Sequence, residues 1–458
     1  MSNQEKPLLQ SIKIGSHTIK NRVVMAPMNM NYTDPMHFPS RQQKAYYAAR
    51  AMGGTGMIIV EAMRGTSHKT ADTYRKYNNL AIYDEAFVPK MADFVEHVKS
   101  FGAKIIAQVS IGPGAQGTSD LGATQPVAAS PIGYNVRHDK LITGLGSPTN
   151  MKPTLSLART LGYHEKISTN PMKAFKQISN VPGMHIIGEI PREIAKEEIS
   201  KLIADYGYAA KCTKLAGFDG IEIHAPHGYL LHSFISPRLN QRTDQYGGSL
   251  DNRLRIIKES IDSMRKYVGP DFVIGVRISA SVEIEGDITP KYANEVAKKL
   301  ESYGANFIHL SDGSYECMSD FIPKKDGQVL PKAKIVKRGL TIPLICPSVH
   351  DPELAEEAVR NGDVDMISQG RQQIADPEWV NKYAEGKTKD IVRCTRCNEG
   401  CIKRFLVALP VRCTVNPMAG HEEDFDKYAK RSLESLQNRH WETIGEIGKE
   451  SSSSNKGI

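Results

Sequence analysis

Eight short apolar runs recur along this chain, each rich in β-branched residues and set apart from the next by a longer connecting segment. In order they are RVVMAPM (22–28), GMIIVEA (56–62), AKIIAQVS (103–110), DGIEIH (219–224), DFVIGVRIS (271–279), NFIHLS (306–311), IPLICPS (342–348) and VDMISQG (364–370). Runs this uniformly apolar suit strands covered on both faces. The connections include amphipathic stretches at 84–100, 193–216 and 250–268. Strand and helix in alternation predict an α/β fold of the (β/α)8 type, a TIM barrel. The opening QSIKIGSHTIKNR alternates with period two around Gly15 and Ser16, which predicts a small hairpin closing the barrel bottom.

The barrel is expected over residues 1–390, a cysteine-bearing segment over 391–420 and a polar tail over 421–458 that ends SSSSNKGI. One connection breaks the pattern: about 131–190 is far longer than a βα loop and rich in Gly, Pro, Ser, Thr and Lys. It leaves the face where barrels keep their chemistry, so a lid is expected there.

Composition excludes several classes. The longest apolar runs fall short of the roughly 20 residues that span a bilayer, and MSNQEKPLLQ lacks the basic start and apolar core of a signal peptide. A cytoplasmic location without membrane contact follows as the expectation, and a reducing compartment disfavours disulfides. The net charge of +8 is scattered along the chain rather than gathered into a stripe, so no nucleic-acid partner is expected.

Residues 112–117, GPGAQG, match the dinucleotide fingerprint and follow a strand, yet turn-forming residues follow them, so no Rossmann site is expected. The spacing Cys394, Cys397, Cys401 and Cys413 is C-x2-C-x3-C-x11-C. With one C-x2-C knuckle and no paired second one, it fits a cubane iron-sulfur cluster better than zinc, which stays open. Cys212, Cys317 and Cys346 stand singly and read as buried small hydrophobes.

The stretch EIHAPHGYLLHSF (222–234) leaves a strand end carrying His224, His227 and Tyr229. Imidazoles and a phenol at an active face can hold a carbonyl oxygen and deliver a proton. Arg277 points into the barrel mouth by its period and needs an anionic partner if buried. Gln108 ends a strand where an amide can read a ring edge, and Gly370 and Arg371 stand where many barrels bind phosphate.

Taken together these residues resemble the old yellow enzyme family of flavin-dependent ene-reductases, in particular its iron-sulfur branch. The resemblance runs from RVVMAPM to about residue 421. Its most specific parts are AGFDGIEIHAPHGYLLHSFISPRLNQRTDQYGGSLDNR (216–253), GRQQIADPEW (370–379) and CTRCNEGCIKRFLVALPVRCTVNP (394–417). It implies that Pro27, Met28 and Ala62 line the flavin, that Gln108 and Arg277 contact its ring, and that Gly370 and Arg371 bind the FMN phosphate. Tyr229 matches the proton-donating tyrosine, and His224 and His227 match the pair that holds the substrate carbonyl. The four cysteines match those holding a 4Fe-4S cluster.

Where the family usually turns on glycines, this chain reads CPSVHDPE, so Ser348 meets the phosphate with a side chain present. Iron-sulfur members generally continue into a second flavin and nicotinamide domain, which this sequence does not include. The resemblance therefore implies an FMN and 4Fe-4S reductase of an enoate, enoyl thioester or enone, with electrons reaching the cluster from a separate donor protein. Two other readings stay open: an amine dehydrogenase or demethylase on the same fold, and a non-catalytic electron-transfer subunit. Tyr315, in DGSYECMSDF, is a further candidate for ligand contact, and a homo-oligomer is compatible with all of these.

Overall fold

The structure, a computed structural model, describes residues 6–67, 79–117, 125–134, 190–317, 320, 322–406 and 409–425. Most of the expected lid and the tail beyond 425 lie outside the described residues.

The chain opens with the hairpin β1 (Ile12–Ile14) and β2 (His17–Ile19), paired antiparallel around Gly15, whose φ of 54° is one that glycine adopts freely. Three barrel strands follow: β3 (Val23–Met25), β4 (Met57–Arg64) and β5 (Lys104–Ser110). A short parallel pair, β6 (Val127–Ala128) and β7 (Arg192–Glu193), brackets the long connection. Then come β8 (Gly220–His224), β9 (Val273–Ser279), β10 (Phe307–Ser311), β11 (Leu344–Pro347) and β12 (Met366–Gln369). The eight apolar runs thus form the eight staves of a closed parallel barrel, a TIM barrel, in which β12 pairs with β3.

Helices α1 (Arg41–Met52), α2 (Val88–Lys99) and α3 (Lys196–Leu215) cover the first half from outside. The second half carries α4 (Leu230–Ile235), α5 (Leu250–Val268), α6 (Pro290–Ser302), α7 (Leu330–Val336), α8 (Pro352–Arg360), α9 (Arg371–Ala375) and α10 (Trp379–Ala384). The reason for the outer layer is visible in α5. Leu254, Ile257, Ile261, Met264 and Val268 recur every three to four residues and are all buried, while Ser249 caps the first turn by accepting from Asn252 N.

Inside the barrel, period two sorts the residues into layers. Val24, Met57, Ile59, Ile106, Val273, Phe307, Ile345 and Met366 fill the bottom together with Ile14 and Ile19 of the hairpin, which closes it as expected. Phe307 occupies the centre because Gly275 beside it has no side chain; a Cβ there would lie 2.0 Å from the ring. One step up each strand the layer turns polar. Gln108, Glu222, His309 and Ser368 are all at most 1% exposed. A second step reaches the mouth, with His224, Arg277 and Ser311.

The tail begins later than the expected boundary at 421. Glu422 is buried and pairs with the buried Arg50 of α1, whose Nε donates to Gln373 O at 2.9 Å. Two buried charges in contact compensate each other, so Glu422 is docked against the barrel while His421, Asp424 and Phe425 stay exposed.

Candidate active site

All eleven side chains expected around the flavin and substrate line one cavity at the C-terminal mouth of the barrel. Pro27 and Met28 follow β3, Ala62 sits in β4, and Gln108 sits in β5. The neighbouring strands β8 and β9 bring His224, His227, Tyr229 and Arg277, and the turns after β11 and β12 bring Ser348, Gly370 and Arg371.

The floor is wired by hydrogen bonds. Gln108 Nε2 donates to Glu222 Oε1 at 2.6 Å, and Glu222 Oε2 lies 2.9 Å from His309 Nδ1. His309 Nε2 continues the chain to Ser368 Oγ at 2.9 Å. A carboxylate only accepts, so Nδ1 of His309 carries the proton and Nε2 accepts from Ser368. Burial holds His309 below the usual imidazole range, with Glu222 opposing. Sequence reasoning missed Glu222, His309 and Ser368 as part of the site. The signal was present: Glu222 lies two residues before His224, and by period two it faces the same interior.

Arg277 is 7% exposed. Its Nη2 donates to Ser311 Oγ at 3.3 Å, and its buried Nε has no partner. Burial pushes its guanidinium down to about 10, against the pull of Glu222. Both oxygens of Glu222 are already engaged by Gln108 and His309, and Arg277 lines the cavity with its buried Nε left unsatisfied.

His227 Nε2 lies 2.6 Å from the same Ser311 Oγ. Arg277 can only donate, so Ser311 Oγ accepts there while it also meets the His227 ring. Desolvation, reinforced by Arg277, holds both His224 and His227 well below the usual imidazole range. Both rings are therefore neutral near pH 7, and His224 Nδ1 is buried without a partner. His227 has φ 66° and Gly228 φ 87°, and this turn swings Tyr229 back over the histidines, with ring centroids of His224 and Tyr229 5.0 Å apart. Gly114 of GPGAQG packs on that turn: a Cβ would lie 2.8 Å from Leu230 N. The described part of the run forms a single 3-10 turn, Gly114–Gln116, and the residues just after it lie outside the described residues.

Ser348 adopts φ 63°, the left-handed conformation for which glycine is the usual residue. A Cβ on Gly370 would meet Met28 Sδ at 2.9 Å, so Met28 packs closely on the backbone of this corner. Arg371 lines the cavity with both Nη atoms engaged. Its Nη1 donates to Asn398 Oδ1 at 2.8 Å and its Nη2 to Pro323 O at 2.7 Å, which ties the cavity wall to the cysteine segment.

Cys394, Cys397, Cys401 and Cys413 line a second, small hollow, and Arg371, Ile374 and Cys401 border both cavities. Arg396 N donates to Cys394 Sγ at 3.4 Å, and Cys397 Sγ lies 3.3 Å from Thr414 Oγ1. Arg396 and Asn398 have φ of 57° and 62°, and a Cβ on Gly400 would lie 2.6 Å from Arg412 O. Among the described residues no three His, Cys, Asp or Glu side chains converge closely enough for a single metal ion. A cubane spreads its four sulfurs over the corners of a cluster, so the shared hollow is the more telling observation for that group. Cys212, Cys317 and Cys346 are buried, as expected for packing residues. Among the described residues no helix is long and apolar enough to cross a membrane.

Fold and site define a flavin oxidoreductase class, and comparison agrees. Residues 7–390 match the NADH:flavin oxidoreductase / NADH oxidase family, to which the chain belongs. It is 34% identical over 420 residues to an NADH oxidase of Thermoanaerobacter brockii, covering 90% of this chain and 56% of that protein. It is 31% identical over 448 residues to a cinnamate reductase of Clostridium sporogenes, covering 93% and 60% respectively. A 2-naphthoyl-CoA reductase in complex with 2-naphthoyl-CoA superposes with TM-score 0.74 at 26% identity, over 92% of this chain and 58% of that one. The chain thus spans somewhat more than half the length of these relatives.

Proposed function

We propose that the cavity holds FMN and that the chain is an ene-reductase, saturating the activated C=C bond of an α,β-unsaturated acid, thioester or ketone. The observation that carries this reading is the convergence of Tyr229, His224 and His227 above Arg277, whose buried Nε lacks a partner. A flavin fits the residues on three counts. Its electron-rich ring edge would accept from Arg277, its ring would present a donor and acceptors to Gln108, and its phosphate would meet the half-buried corner at Ser348 and Gly370. Arg371 would add charge there while its Nη atoms brace the wall.

Bound FMN supplies a two-electron, hydride-delivering centre, and a 4Fe-4S cluster supplies one-electron relay. The residues do the rest. Neutral His224 and His227 donate hydrogen bonds to the substrate carbonyl oxygen and stabilise it as it gains negative charge; losing one such donor costs about 3 kcal/mol. Tyr229 delivers the proton to the α-carbon.

We propose further that Cys394, Cys397, Cys401 and Cys413 hold the cluster. Their spacing, their common hollow and the donors aimed at Cys394 and Cys397 support it. On this reading residues 1–390 form the flavin barrel and 391–420 the cluster segment. Electrons would come from a redox protein or domain docked beside that segment.

A second reading, an amine dehydrogenase, draws on Asp312 and Asp320 in the same cavity, which could attract an ammonium toward the tyrosine rings. One experiment separates the two. Protein purified without oxygen is examined for flavin and cluster absorbance, then offered trans-cinnamate with reduced viologen, or a tertiary amine with an oxidant. Flavin-dependent consumption of the enoate supports the first reading; flavin reduction by the amine alone overturns it.

A further inference from the structure

We infer that Tyr315 is a positioning residue that sets the acidity of Tyr229, donating a hydrogen bond that stabilises the phenolate formed when Tyr229 gives up its proton. The inference rests on the reading of Tyr229 as the acid. The two hydroxyls lie 3.1 Å apart, with ring centroids 5.9 Å apart and planes at 87°. Both rings line the active cavity, although they come from different strand ends, Tyr229 after β8 and Tyr315 after β10.

Backbone contacts fix the pairing. Tyr315 N donates to His227 O at 3.4 Å, and His227 and Ser314 form an isolated parallel bridge. Gln116 Nε2 donates to the same His227 O at 2.8 Å, and Tyr134 OH donates to Gly228 O. The turn carrying the acid is thus clamped from three elements, one of which delivers Tyr315.

Direction follows from surroundings. Burial raises the Tyr315 phenol well above its ordinary range, and its contact with Tyr229 adds to the effect. Once Tyr229 has released its proton its oxygen can only accept, so Tyr315 is the member that donates. In the transfer, the O–H bond of Tyr229 breaks as the C–H bond of the α-carbon forms. Its oxygen keeps the electron pair, and water later restores the proton. A phenolate in a desolvated cavity is costly without a donor beside it, and Tyr315 is placed to be that donor.

The test uses holoprotein carrying tyrosine labelled with ¹³C at Cζ, with Tyr229→Phe identifying the Tyr229 resonance. In Tyr315→Phe, Tyr229 should ionise about one pH unit or more higher, the loss expected for a hydrogen bond to a charged group. Incorporating 3,5-difluorotyrosine at 315 makes a stronger donor and should move Tyr229 the other way, a check that does not depend on the Phe variant folding. No shift in either protein overturns the inference. With trans-cinnamate and reduced viologen, Tyr315→Phe should lower kcat roughly tenfold or more at nearly constant KM. It should add nothing in a Tyr229→Phe background, whereas multiplying effects would mean that Tyr315 acts independently. If the titration shifts but Tyr229→Phe leaves the rate unchanged, the pairing stands and the assignment of the acid falls.

Discussion

Gln108 and Glu222 stand opposite each other on β5 and β8, and Gln108 Nε2 donates to Glu222 Oε1 at 2.6 Å. Because the carboxylate can only accept, the amide is locked with its nitrogen toward Glu222, and its oxygen is left for the cavity. Glu222→Gln removes that discrimination, since two amides can pair in either sense. FMN affinity is expected to fall about tenfold, the worth of one oriented hydrogen bond to a charged partner. Titration of apoprotein with FMN, followed by flavin fluorescence, checks it; unchanged affinity would mean that Gln108 is not oriented from below.

Arg277 makes an opposite pair of predictions for the two forms of the protein. In the apoprotein its buried, partly satisfied charge is a cost, so Arg277→Met should leave thermal stability unchanged or raise it. Flavin retention in the same variant should fall steeply. Full FMN content in Arg277→Met would remove this residue from the flavin site.

The cysteine turn depends on glycine at one position. A Cβ on Gly400 would lie 2.6 Å from Arg412 O, and Arg412 N donates back to Gly400 O at 2.6 Å. Gly400→Ala is expected to open this pairing and abolish iron and acid-labile sulfide in anaerobic preparations. The barrel should remain, with far-ultraviolet circular dichroism unchanged. Normal iron content would show that the turn has slack which the geometry denies.

Stability should depend on pH with a definite sign. Burial holds His224, His227, His309 and His350 below the usual imidazole range and His232 at about 4, so in the folded protein they stay neutral. The unfolded chain takes up protons at these positions below about pH 6.5, a change that favours unfolding by up to about 1.4 kcal/mol per group and pH unit. Glu61 opposes them, because burial raises its carboxyl to about 8 and its contribution fades as pH rises. Burial raises the Asp312 carboxyl as well, but five imidazoles outweigh two carboxyls, so the urea midpoint should drop between pH 7 and pH 5. A midpoint that rises over that interval would contradict the neutral assignment.

Much of this was legible in the sequence because a barrel repeats one physical rule eight times. The apolar runs had to be strands buried on both faces, and the residues at their C-terminal ends had to meet. His224, His227, Tyr229 and Arg277 were found in that way, and they line one cavity. Glu222 and His309 were not, because a polar residue inside an apolar strand announces no role until its register neighbours are known. Gln108 faces Glu222 across β5 and β8, a pairing set by strand order rather than by local sequence. The bracing of Arg371 was hidden for the same reason: Asn398 and Pro323, which hold it, are distant in the chain. Glu422 sat in a stretch that looked like solvent-facing tail, and only Arg50, 372 residues away, explains its burial.

The central claim, that Tyr229 protonates an enoate reduced from FMN in this cavity, is tested most directly by rapid mixing without oxygen. Protein reduced with dithionite is mixed with trans-cinnamate, and flavin reoxidation is followed for the wild type and Tyr229→Phe. The account predicts equal flavin content, equal rates of flavin reduction by dithionite, and reoxidation slowed about a hundredfold or more in the variant. Equal reoxidation rates in the two proteins, or no reoxidation of either by enoates or enones, would contradict it.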